Sequence, residues 1–308
     1  MSYHKVSYLG LPNCLRMTNG DAEIIVTTDV GPRVLRYGIP GQSNLFGEYP
    51  DLVTASPLGD WKPYGGHRLW AAPESMQTSY APDNLPIQWE AEGDRSLRLL
   101  QPVDAAGLQK QMTVRLAERG TCVEVEHAIT NCNAWTIQIA PWSITVHTEG
   151  TIILPREPFR SHDECVVPSQ PLTLWYFTDL RDPRLQLGSR YLMVGADRAL
   201  TAPQKIGLCN KQGWCGYHRG KVLLIKRFRY EPDAFYPDCG SNNEAYVAGS
   251  YMETELLGPL RLLAQNETVL LKECWQLVPN ITLDGDEAAQ ENEILDAIAA
   301  CSSVASCN

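Results

Sequence analysis

Three short segments bring together side chains of types that can do chemistry. The first is Trp61-Lys62-Pro63-Tyr64-Gly65-Gly66-His67-Arg68-Leu69-Trp70, with Pro73-Glu74 behind it. A sugar shows hydroxyls at its edge and C–H groups on its faces, so its site needs polar side chains beside an aromatic plane. His67, Arg68 and Trp70 supply both. The competing reading is a loop packed by Trp61, Tyr64 and Trp70, with Arg68 in an ion pair. The second segment is Pro141 to Gly150. Strand alternation puts Ser143, Thr145 and His147 on a polar face, opposite Trp142, Ile144 and Val146. His147 then either lines a cleft, where a histidine works as acid or base near neutral pH, or is simply solvated. The third is Tyr251-Met252-Glu253-Thr254-Glu255-Leu256-Leu257-Gly258-Pro259, with Tyr251, Glu253 and Glu255 on one face. Two carboxylates sharing a face repel, which raises the proton affinity of one and suits a general base. The alternative is an acidic strand facing water. Two further candidates are Asp238, in the polar turn Tyr236–Asn242, and Lys226, on a strand face with Phe228 and Tyr230.

No motif ties these segments together. The chain has no GxGxxG after a strand, no P-loop, no GxSxG and no HExxH. The six histidines stand at 4, 67, 127, 147, 162 and 218, so any site is assembled from distant strands.

The elements that must position them are mostly strands. Gly (23) and Pro (21) are scattered as punctuation through the 308 residues rather than gathered in a linker. Gln111–Leu116 and Cys122–Ile129 flank a turn at Glu118-Arg119-Gly120 and read as a hairpin. In it Val123, Val125, His127 and Ile129 share the buried face, which makes His127 a core histidine. Residues 55–90, rich in Pro, Gly and Trp, read as a long ordered loop region. No repeat interrupts the pattern. The expectation is one antiparallel β domain over 1–308, most plausibly a sandwich, with a C-terminal helix over 284–300 packed on it and a tail at 301–308.

Composition narrows the function classes. Lys plus Arg is 26 against 36 Asp plus Glu, a net charge of −10, so neither nucleic acid nor an anionic membrane is an expected partner. No run of 18 apolar residues occurs, and no basic-then-apolar leader opens the chain. The ten cysteines form no CxxC or Cys-His pattern and read as reduced thiols of a cytoplasmic protein.

These segments, in this order, resemble the galactose mutarotase-like superfamily of aldose 1-epimerases. Asp29-Val30-Gly31-Pro32-Arg33-Val34 looks like its early strand and turn. Gly65-Gly66-His67 resembles its Gly-Gly segment with adjacent histidine, and Tyr251–Glu255 its late strand with the catalytic glutamate. Lys272–Leu277 resembles its last strand. The resemblance covers about residues 20–280 and implies an all-β fold, an antiparallel β-supersandwich with a sugar site on a concave face. It implies an isomerase of carbohydrate metabolism that interconverts sugar anomers, with neither metal nor organic cofactor. Glu253 takes the position of the base, and His67 or His147 that of the acid; Trp142 stands near the family's second histidine. Arg68, Trp70, Lys226, Asp238, Tyr251 and Glu255 are the expected substrate contacts. Arg33, Arg68 and Lys226 offer cationic contacts to a phosphorylated or acidic sugar. Two other readings stay open: a non-catalytic carbohydrate-binding protein on the same fold, and a lyase or hydrolase with Tyr251 or Lys226 as base. The expected partner is a small sugar or sugar derivative, and exposed sheet edges leave room for a homodimer.

Overall fold

The computed structural model describes residues 3–284 and 287–301. Among them, antiparallel strands form two large sheets. In one sheet the order runs Tyr3–Tyr8, Leu11–Thr18, Glu23–Val26, Arg33–Gly38, His67–Ala72, Ile137–Thr148, Tyr251–Leu257, Asn243–Ala248, Gln204–Leu208, Leu172–Leu174. Arg261–Leu263 pairs with the start of Ile137–Thr148. The other sheet runs Gln88–Ala91, Ser96–Leu100, Leu108–Leu116, Val123–Asn131, Thr268–Pro279, Val222–Phe228, Trp214–Arg219, Thr151–Pro155, Tyr191–Gly195, Leu185–Leu187. This is an antiparallel β-supersandwich.

The strand pattern explains the layers. Leu15, Met17, Ile24, Val26, Met252 and Leu256 of the first sheet meet Leu97, Leu99, Met112, Val125, Leu224 and Trp275 of the second in one apolar core. The hairpin around Glu118-Arg119-Gly120 forms with Thr113 opposite Glu126 and Val114 opposite Val125. Cys14 and Cys215 are buried with apolar neighbours, as small hydrophobes are.

The helix spans Glu287–Cys301 and lies on the outer face of the second sheet. There Ile294 and Ala297 cover Ile153, Tyr191, Trp214, Leu223 and Ile225. Those residues alternate with core residues on their own strands, so this sheet is apolar on both faces where the helix sits. Asp286, expected in the helix, and residues 302–308 of the expected tail lie outside the described residues. No helix among the described residues is long and apolar enough to cross a membrane.

Residues 55–90 differ from the expected loop region. They hold the small hairpin Thr54–Ser56 with Gly59–Trp61, the short strand Tyr64–Gly65, and the central strand His67–Ala72. Six buried positions in succession hide the alternation that marks a strand lying between layers. Gly65 and Gly66 make the entry to that strand possible. Both have left-handed φ, +89° and +68°, and a Cβ on Gly66 would lie 2.3 Å from the carbonyl oxygen of Val34. Their freedom thus serves close passage of one backbone beside another. Gly66→Ala is expected to destabilise the fold by about 1–3 kcal/mol or more, read as a lower urea midpoint at unchanged slope.

Candidate functional site

The register of the first sheet lines up chemistry on its outer face. Across the strands, Arg33 stands opposite Arg68, Arg68 opposite Ile144, Ile144 opposite Glu255, and Glu255 opposite Glu244. One row over, Lys205 stands opposite Tyr246 and Tyr246 opposite Glu253. Because neighbours in a row share a face, these side chains point away from the core that Met252 and Leu256 enter. Arg68, Ile144, Lys205, Tyr246, Glu253 and Glu255 form part of a cleft of about 380 Å³, with Glu74, Tyr80, Trp61, Trp70, Trp142, Trp175 and Tyr251 among its walls. The hairpin at Thr54–Trp61 and the loop after Ala72 raise the walls above the sheet.

Two ion-pair systems occupy its floor. Arg68 Nη2 donates to Glu253 Oε1 at 2.9 Å, and the Tyr251 hydroxyl donates to the same oxygen at 2.5 Å. The Arg68 guanidinium lies over the Trp61 and Trp70 rings, at 4.9 and 4.8 Å from their centroids. Burial and the adjacent Glu253 push the Tyr251 hydroxyl well above its ordinary range, so it stays protonated as a donor. In the second system Lys205 Nζ reaches Glu255 Oε2 at 2.8 Å and Glu244 Oε2 at 2.9 Å. Trp142 Nε1 donates to Glu255 Oε2 at 2.8 Å. Burial, with Glu244 and Glu253 beside it, drives the Glu255 carboxyl well above the usual range, against the opposing pull of Lys205. Lys205 is thus one ammonium shared between two buried carboxyl groups. Gly207 makes room for this arrangement, since a Cβ there would meet Ser241 Oγ at 2.4 Å and Glu244 Cγ at 3.0 Å.

Of the residues expected to act, the structure brings Glu253, Arg68, Trp70, Tyr251 and Glu255 together in the cleft. Asp238 sits half-buried beyond Lys205, where burial and Glu244 raise its carboxyl to about 6. It is not among the cleft-lining residues. His67, His147 and Lys226 point the other way, into the space between the sheets, which corrects their expected placement. The parity read from Pro141 to Gly150 is right, but its polar face is the inner one. Trp142 and Ile144 line the cleft, whereas Ser143, Thr145 and His147 are fully buried.

The inward polar residues bond one another, although His127 Nδ1 and His147 Nε2 are buried without a hydrogen-bond partner. His67 Nδ1 meets Thr145 Oγ1 at 2.8 Å, and its Nε2 meets His127 Nε2 at 3.0 Å. His127 Nε2 lies 3.4 Å from Glu273 Oε1, and Lys226 Nζ bonds Glu273 Oε2 at 2.8 Å and Thr145 Oγ1 at 2.7 Å. Ser143 and Trp275 also donate to Glu273. By donor type His67, His127 and Glu273 could hold a metal ion, their ligand atoms all lying within 4.8 Å of one another. The Lys226 ammonium already balances the one carboxylate there, so a divalent ion would add uncompensated charge to a closed interior. Burial lowers His67 far below its usual range.

His147 stacks on Tyr217 with ring centroids 3.7 Å apart and bonds the Leu45 carbonyl oxygen through Nδ1 at 3.2 Å. Burial brings its pKa down to about 3. An unfolded histidine titrates near 6.5. Below about pH 6.5 the unfolded chain therefore binds a proton that the folded chain refuses, and stability falls as pH drops. Urea unfolding at stepped pH should show that slope, and His147→Phe should reduce it.

Sequence reasoning missed Lys205, Tyr246, Trp175 and Glu244, and named Glu74 only as lying behind the first segment. Lys205 and Glu244 had no visible signal: Glu244 stands opposite the acidic strand and Lys205 one strand further out. Arg33 belongs to the outer face but bonds Asp83 Oδ1 at 2.7 Å and the Lys62 carbonyl oxygen at 3.0 Å, away from the cleft.

No family model matches the sequence, and no curated protein matches it. Solved structures do. A galactose mutarotase-like protein from Lactobacillus casei ATCC 334 superposes with a TM-score of 0.54 at 9% identity, over 86% of this chain and 100% of the other. A galactose mutarotase-like protein from Clostridium acetobutylicum gives 0.54 at 9% identity, over 90% and 98%. The fold is that of the galactose mutarotase-like proteins. In this mutarotase-like sandwich the cleft lies on the outer face of the first sheet, and among the described residues no histidine lines it.

Proposed function

We propose that this chain is a carbohydrate-active isomerase that binds a reducing sugar in the aromatic cleft and interconverts its anomers. The observation that carries the reading is the placement of Glu253 and Glu255 on the cleft face of one strand, in a cleft that Trp61, Trp70, Trp142 and Trp175 also line. Same-face neighbours on a strand are about 6.6 Å apart along the chain, enough to straddle C1 with its hydroxyl and ring oxygen. Glu253, already the acceptor of two hydrogen bonds, takes the proton of the C1 hydroxyl. Glu255 gives its proton to the ring oxygen as the C1–O bond breaks. The open aldehyde turns about C1–C2 and recloses, and both protons return. A carboxyl thus does here what the resemblance assigns to histidine. Trp70 and Trp142 pack edge to face in the floor of the cleft and hold the cations that flank the two carboxyl groups.

The test is exchange NMR on a panel of aldoses, with wild type and Glu253→Gln. Faster anomer exchange on at least one sugar, lost in the variant, supports the reading; equal rates with and without protein across the panel overturn it. A second reading, a non-catalytic carbohydrate-binding protein, is favoured by the burial of Glu255 between Lys205 and Trp142, which would restrain proton transfer. Saturable line broadening without rate acceleration would select it.

A further inference from the structure

The cleft repeats one device: a cation held between two indoles and against a carboxylate. Arg68 lies over Trp61 and Trp70 and pairs with Glu253. Lys205 lies over Trp142 and Trp175, at 4.8 and 4.6 Å from their centroids, and pairs with Glu244 and Glu255. Glu74 is a further carboxylate with an aromatic beside it. The Tyr80 hydroxyl donates to Glu74 Oε1 at 2.7 Å, and the Tyr80 ring packs on Trp70 at 4.7 Å. Among the described residues no lysine or arginine lies within ion-pair distance of Glu74, which is exposed at the cleft wall. Independently, Glu255 Oε1 is buried in the cleft with no hydrogen-bond partner. The lining thus holds Glu74 and Glu253 against Arg68 and Lys205, with Glu244 just behind and Glu255 as the proposed proton donor.

We propose that the sugar taken by this cleft is an amino sugar, an aldose whose free ammonium group pairs with Glu74 beside the Tyr80 ring. The inference rests on the carbohydrate reading above and names its substrate class. It also replaces the expected phosphorylated or acidic sugar. Of the three cations that supported that expectation, Lys226 and Arg33 do not line the cleft, and the charge of Arg68 is balanced by Glu253 through Nη2, though its Nε and Nη1 have no hydrogen-bond partner. An added anion would meet the excess of carboxylates.

The experiment is a 1H NMR titration with exchange measurement in the gluco, galacto and manno series. Each series offers the parent aldose, its 2-amino and 6-amino analogues, the N-acetylated amine and the 6-phosphate, at a pH where the amine is charged. One amino analogue should bind about two- to fivefold tighter than its parent, with the phosphate weakest. Added salt should narrow the gap. Glu74→Gln should bring the amino-to-parent affinity ratio close to one. Equal affinity for amine and parent, best binding by the phosphate, or a ratio unchanged in Glu74→Gln each overturn the inference while leaving the carbohydrate reading standing. If no sugar in the panel binds, both fall.

Discussion

Glu253→Gln is expected to slow anomer exchange by about 10²–10⁴-fold, the usual contribution of one positioned acid–base group. The substitution keeps the side chain's volume and one carbonyl oxygen to accept from Arg68 and Tyr251. It removes only the capacity to take a proton, so sugar binding should persist while the rate falls. Glu255→Gln probes the other half. It removes the proton donor but keeps an oxygen for Lys205 and Trp142. If the two act in one concerted transfer, the double variant should be little slower than either single variant. Additive losses would argue for separate steps. Exchange rates at saturating sugar separate both outcomes from a loss of affinity.

Lys226→Met is expected to cost about 3–5 kcal/mol of unfolding free energy. The methionine fills the space of the lysine stem but leaves the Glu273 carboxylate, fully buried, without its cation. Burial opposes charge on Glu273, yet Lys226 and the two histidines hold it well below the usual carboxylate range. That stabilisation exists above the unfolded-state value near 4.3 and is lost as pH falls through the folded one. Lys226→Met with Glu273→Gln removes the orphaned charge and should recover part of the loss. Chemical denaturation of the set decides the matter: a single-variant loss under about 1 kcal/mol would mean that the interior accommodates the charge by another route. Sugar affinity of the folded Lys226→Met protein should match wild type, since Lys226 faces away from the cleft.

The sequence carried much of the fold because alternation was strong where one face meets the core. Val123, Val125 and Ile129 announced a half-buried strand, and the acidic face of Tyr251–Leu257 announced the cleft. Parity alone, however, says which residues share a face and not which face is inside. For Pro141 to Gly150 the polar side was taken for the open one. The interior holds Glu273 and Lys226 to receive Thr145 and Ser143, so polarity there marks the inside. His67 failed for a related reason. It precedes Arg68 on a strand, so the two cannot face the same way. The loop reading of 55–90 failed because His67–Ala72 is buried on both faces and shows no alternation. Lys205 was illegible, since its meaning comes from pairing with a strand some forty residues later.

The strand Tyr251–Leu257 gives two jobs to alternate residues, with Glu253 and Glu255 on one side and Met252, Thr254 and Leu256 on the other. Losing or gaining a single residue there would send the carboxylates into the core and the methionine into the cleft. Descendants of this chain can therefore change what the cleft does only by swapping side chains in place. Growth and shrinkage are left to the surrounding hairpins and loops, where the walls of the pocket can be redrawn while its floor stays in register.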